Sequence, residues 1–349
     1  MAVTCRSAER GSAGYASAAR NGRKTLPHRP IERPLLLNGA EFPTSASRWF
    51  RTTRFALLLL LVVAASGCSL RHIAADHLGD TLSSGGMVFA SDDDPELIRA
   101  ATPFSLKLME SVLAERPEHA GLLTATARGY TQYAYAFVQQ QADEIEDQDV
   151  AAAYRLRERA RKLYRRARDY GLRALEVGHP GFSATLKTHP AATLNGTSKE
   201  DVAQLYWCGI SWAALIALSK DDPDAVADVP LMSAMLARAL ALDETFDAGA
   251  LHVFMISFAT AHHDAAGIAA ARAHFRRAVE LSDGRQAGPY VSLAEAVAVP
   301  AQDRREFESL LAAALKIDPD AAPEWRLANT LMQRRAQWLL ERTDQLFTE

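Results

Sequence analysis

Strand-like alternation of apolar and polar residues is missing from this sequence, and that absence removes sheet architectures from consideration before any motif is read. Cysteine is nearly missing as well, with three in 349 residues. No G-x-S-x-G turn surrounds Ser183, Ser211 or Ser292, and no glycine-rich phosphate loop occurs, so nucleophilic-elbow and phosphoryl-transfer chemistry have no footing. The longest apolar run, Phe55 to Ala65, spans eleven residues. A bilayer crossing needs roughly 20, so this run reads as a signal-peptide core.

What is present begins with that run. Arg48, Arg51 and Arg54 precede it, and Ala65-Ser66-Gly67-Cys68 ends it with small residues before a thiol. This order predicts a lipoprotein signal over 51–67, cleavage before Cys68 and a covalent lipid on its sulfur. Residues 1–50, rich in Arg, Ser, Ala and Pro, read as a disordered extension or a start assigned too far upstream. Ser69 stands where an Asp would favour inner-membrane retention, which leans the anchor toward the outer membrane. Residues 68–90 read as a lipidated tether, and 91–349 as the folded domain.

Charge divides at the same place. The whole chain holds 39 Lys and Arg against 42 Asp and Glu, and residues 1–67 hold ten and three of them, leaving 29 against 39. A mature part with a net charge near -10 disfavours nucleic acid, which is bound through clustered cations. Attachment to a membrane would then come from acyl chains. Removing the leader removes Cys5 and acylation consumes Cys68, so Cys208 stands alone, without a disulfide partner, in an apolar segment that reads as core.

Almost every segment after residue 91 carries helical periodicity. Asp94-Pro95-Glu96 supplies an N-cap, a first-turn proline and an early acid. Leu97, Leu106, Met109, Val112 and Leu113 form the stripe that follows. Further helices are predicted at 120–141 and 150–177, the latter with Tyr154, Leu163, Ala167, Tyr170 and Leu175 inward and arginines outward on a solvated face. Residues 179–196 read as a turn-rich loop, and Thr197 with Glu200 as a capping box opening an all-apolar helix at 199–219. Helices follow near 230–242, 247–262, 267–282, 289–297, 302–317 and 323–345.

The segments LARALALD (236–243), FRRAVELS (275–282) and LAAALKID (311–318) superpose, placing Ala239, Ala278 and Ala314 at spacings of 39 and 36, with Ala174 as a distant match. Two helices per unit with a small residue at the crossing predict an all-α, tetratricopeptide-like solenoid of helical pairs with irregular repeats. An irregular helical bundle is the alternative.

The run AHFRRAVELSDGRQAGPYVSLAE (273–295) resembles the signature of the T component of tripartite ATP-independent periplasmic (TRAP) transporters, the TatT family. LYWCGISWAALIALSKD (205–221), RALALDETFDAGALHVF (238–254) and RRAQWLL (334–340) resemble it in the same order. The resemblance implies a periplasm-facing lipoprotein that pairs with the solute-binding P subunit and carries a channel passing or holding a hydrophobic ligand. It also implies a possible homotrimer. A general outer-membrane scaffold for envelope assembly, without a small ligand, is the competing function.

Titratable clusters are sparse. His262-His263-Asp264 and His72-Asp76-His77 read as helix-end and tether residues without metal spacing, and His274 as a packing or capping residue. No cofactor is expected beyond the lipid on Cys68. Aromatic residues carry more weight: Tyr130, Tyr133 and Tyr135 on one helix, and Tyr206, Trp207 and Trp212 on another, are the candidates for a ligand passage or an interface.

Overall fold

A computed structural model describes residues 71–348, His263 excepted. Cys68, the signal segment and residues 1–50 lie outside the described residues, as does most of the His262-His263-Asp264 cluster. Within them every regular element is helical. The chain opens with α1 (71–84) and α2 (Gly86–Ala90), followed by α3 (Pro95–Glu115) and α4 (Ala120–Ala134). A π-helical turn, Tyr135–Gln139, joins α4 to α5 (Gln140–Ile145). Then come α6 (Val150–Gly178), α7 (Phe182–Thr188), α8 (Pro190–Asn195), α9 (Val202–Ala217), α10 (Pro223–Ala227) and α11 (Val229–Leu242). The last third holds α12 (Ala250–Ala259), α13 (Ala265–Leu281), α14 (Gly288–Leu293), a second π-turn at Ala294–Ala298, α15 (Arg304–Leu315), α16 (Arg326–Glu341) and α17 (Thr343–Leu346).

Aspartates start many of these helices. Asp94 accepts from the Glu96 and Leu97 amides, both at 3.0 Å. Asp149 accepts from Ala152 at 2.8 Å, Asp264 from Gly267 at 2.6 Å, and Asp303 from Glu306 at 2.8 Å. Each satisfies an amide that has no intrahelical partner, which is worth about 1 kcal/mol per cap.

Several sequence expectations give way here. The segment read as a tether is helical from 71 to 90, with one break at Gly85, and Arg71 and Asp76 of α1 pair with Glu115 and Arg116 at the end of α3. The loop read over 179–196 contains α7 and α8, which bury Phe182, Leu186 and Leu194 in the main core. The box before α9 is set one residue later than expected: the Ser198 amide donates to Asp201 at 2.8 Å. Thr197 instead turns its hydroxyl to the Leu194 carbonyl and offers its own carbonyl to Arg238. In α3, Leu97 faces solvent and Ile98 takes the inward place.

Core formation follows small residues. Helix α6 lies between α4 and α9, burying Ala153, Ala160, Ala167, Gly171 and Ala174 together with Tyr164 and Leu175. Tyr154, expected inward, is exposed. A Cβ on Gly171 would sit 2.7 Å from Cys208 Cβ and 2.8 Å from its Cα, so the approach of α6 to α9 requires glycine there. Ala239, Ala278 and Ala314, the residues that defined the repeat, are all fully buried.

The succession of helices also closes on itself. Helix α16 packs on α2 and α3. Arg326 donates to the Ser91 carbonyl at 2.8 Å, Arg334 pairs with Glu96 at 3.1 Å, and Arg342 pairs with Asp147. The apolar stretch Pro223–Leu242 is long enough to cross a membrane by composition. It divides at Asp228, between α10 and α11, and buries Met232, Met235, Leu236 and Ala239 within the fold.

Candidate functional site

Three of the six aromatic candidates pack against α6, Tyr130 and Tyr133 of α4 along one face and Trp212 of α9 on the opposite side. Each carries an arginine of α6 over its ring: Arg166 lies 5.3 Å from the Tyr130 centroid, Arg159 5.7 Å from Tyr133, and Arg168 5.6 Å from Trp212. Arg173 completes the row at 5.2 Å over Tyr170, which itself stacks on Tyr130 with ring centroids 6.1 Å apart. The rings of Tyr130, Tyr133 and Trp212 are buried, whereas Arg159, Arg166 and Arg173 are exposed. A guanidinium over a ring gains roughly 0.5–1 kcal/mol at an exposed site and loses rotamer freedom in advance.

A carboxylate anchors the floor of this face. Glu110 on α3 accepts from the Tyr130 hydroxyl at 2.8 Å and the Tyr170 hydroxyl at 3.1 Å, pairs with Lys107, and lies 3.6 Å from Arg166. Burial pushes its carboxyl up, but the hydrogen bonds from Lys107, Tyr130 and Tyr170 and the nearby Arg166 outweigh that and hold it below the ordinary value. Burial, and next the Glu110 carboxylate, push both phenols up to about 12, so the rings stay neutral.

Helix α6 carries nine cations and three acids. Arg157 is held by Glu146 and Asp143 and Arg161 by Glu158, while Arg155, Lys162 and Arg165 project into solvent. Lys162, Arg165, Arg166, Asp169, Tyr170 and Arg173 line an open groove of about 350 Å³. The arrangement suits carboxylates arriving from outside: fixed guanidinium forks on an aromatic floor, in an otherwise acidic chain.

The other three candidates lie elsewhere. Tyr206 and Trp207 pack edge to face at 4.9 Å within the main core, with Phe246 5.3 Å from Tyr206. Tyr135 sits on the first π-turn and is 40% exposed. Burial nevertheless raises its phenol, with Glu295 on the second π-turn adding to the rise and Arg335 opposing it. Asp247 combines the same properties: it is exposed, held at φ 45° in a left-handed turn, and its carboxyl is raised by burial against the opposing effects of Trp325 and Arg128.

The arginine row was hidden in the sequence because two of its ring partners, Tyr130 and Tyr133, lie on α4. Only Arg173 and Tyr170, three residues apart, showed the pairing locally. Cys208 is fully buried and free, and burial pushes its thiol up to about 12, consistent with a packing role.

A family model described as TRAP transporter T-component matches residues 91–347. A protein of Treponema pallidum (strain Nichols), described as uncharacterized, is 30% identical over 319 residues, covering 86% of this chain and 98% of its own length.

Proposed function

The chain belongs to the TRAP transporter T-component family, and from that premise we propose that it is the accessory lipoprotein that docks the solute-binding subunit of such a system. Its anchor is an acylated Cys68 and its folded part faces the periplasm, with the outer membrane the favoured site of anchoring. The face of α6 is the docking surface, and its partner presents carboxylates. The observation that supports this reading is the row of three arginines, Arg159, Arg166 and Arg173, placed over Tyr133, Tyr130 and Tyr170. Arginine, tyrosine and tryptophan are the residues that dominate binding energy at protein interfaces.

The second half of the reading is that an apolar or amphipathic solute is held within the helical array, as the family resemblance implies.

The test is co-purification of the anchored protein from its own membranes, followed by mass spectrometry of bound proteins and lipids. Recovery of a periplasmic solute-binding protein is the expected result. Recovery only of outer-membrane assembly factors would overturn the reading in favour of a scaffold.

A further inference from the structure

Helices α12 and α13 bring His252 and His274 together, and the turn after α11 sets the Glu244 carboxylate behind them. His252 Nδ1 lies 2.8 Å from His274 Nδ1. His252 Nε2 lies 3.3 Å from a Glu244 oxygen, and Glu244 is fixed in turn by Arg277. A carboxylate accepts, so Nε2 of His252 carries the proton and the neutral ring presents the Nδ1 lone pair to its neighbour.

Met255 follows His252 by three residues, so the thioether and the imidazole share a face of α12. Both histidines and Met255 line one open depression of about 600 Å³, with Asp243 and Glu244 at its edge. Among the described residues no set of three or more His, Cys, Asp and Glu surrounds a common point. A four-coordinate zinc site is therefore not formed by these side chains, and the thioether gives the donor set its character.

We propose that this depression is a binding site for a soft monovalent cation of the Cu(I) class, held by His252 Nδ1, His274 Nδ1 and Met255 Sγ. Two imidazoles and a thioether form a three-donor set suited to Cu(I) rather than to harder ions. Glu244 serves as the outer carboxylate that orients His252, an arrangement typical of metal-bound histidine. Two metal–nitrogen bonds of about 2 Å at open angles need the nitrogens roughly 0.5 Å further apart than they stand, a change that ring rotation supplies. The proton shared by the two Nδ1 atoms leaves to His274 Nε2 or to solvent when the cation enters.

The test is anaerobic competition for Cu(I) between the full chain and a chromophoric chelator, comparing the native sequence with Met255→Leu and His274→Gln. Cysteine thiols are common to all three proteins, so the differences between them report this site. The expected result is Cu(I) affinity at this site lowered roughly tenfold or more in each variant, with Zn²⁺ binding unchanged by Met255→Leu. Leucine conserves volume at position 255, and equal melting temperatures of the metal-free proteins check that the fold is kept. Equal Cu(I) affinity in the native protein and Met255→Leu would overturn the proposal, as would a native protein that takes up no more Cu(I) than His274→Gln. In either case the histidines form a hydrogen-bonded pair only.

Discussion

Glu110 decides how the arginine row is held. Its carboxylate receives two phenol hydroxyls and the charges of Lys107 and Arg166, and its folded-state pKa is depressed from the ordinary 4.5. A depressed carboxyl contributes stability that is present above pH 4.5 and is lost as pH falls through the folded value. Glu110→Gln should therefore melt lower at pH 7, by about 1–2 kcal/mol in chemical denaturation, and the gap should narrow as pH drops below about 4.5. A gap that stays constant down to pH 3 would contradict this. Cys208 gives a second residue-scale expectation. With its thiol pushed up to about 12, iodoacetamide at pH 8 should label Cys208, read by peptide mapping, only as fast as the protein unfolds. Rapid labelling of the native protein would refute a packing role.

At the scale of elements, the tightest joint is α6 against α9. Gly171→Ala places a methyl against Cys208 backbone and Cβ atoms that cannot turn away, so a loss of about 1–3 kcal/mol is expected in denaturant titration. A neutral outcome would mean that the two helices separate freely. The helices themselves were legible in the sequence, because apolar spacing and the Asp caps of α3 and the Asp-Pro start are local signals. Their fine arrangement was not. The stripe of α6 was read from its large residues, yet α4 and α9 close on its alanines and Gly171, which leaves Tyr154 outside. The π-turns at 135–139 and 294–298 depend on what packs across from them, and sequence periodicity carries no sign of such insertions. The helicity of 71–90 was missed for a related reason: its stripe is weak, and the partners of Arg71 and Asp76 lie at the end of α3.

The whole molecule joins two facts that no single element contains. Residues 68–349 are strongly acidic, while α6 presents exposed cations, two of its arginines resting on rings of α4 and a third on its own Tyr170. The family was legible from the run at 273–295, whereas the arginine face required the fold, since Tyr130 and Tyr133 meet α6 only in three dimensions. A basic face on an acidic body should steer an acidic partner and make its association salt-dependent. The direct measurement is the affinity of the mature protein for the solute-binding subunit of its own transport system, taken at two ionic strengths for the native protein and for Arg159→Glu with Arg165→Glu. The account predicts at least tenfold weaker binding in the double variant, on the order of 1.4 kcal/mol or more, and a shallower dependence on salt. Equal affinity and equal salt dependence in the two proteins would contradict the assignment of the α6 face as the docking surface.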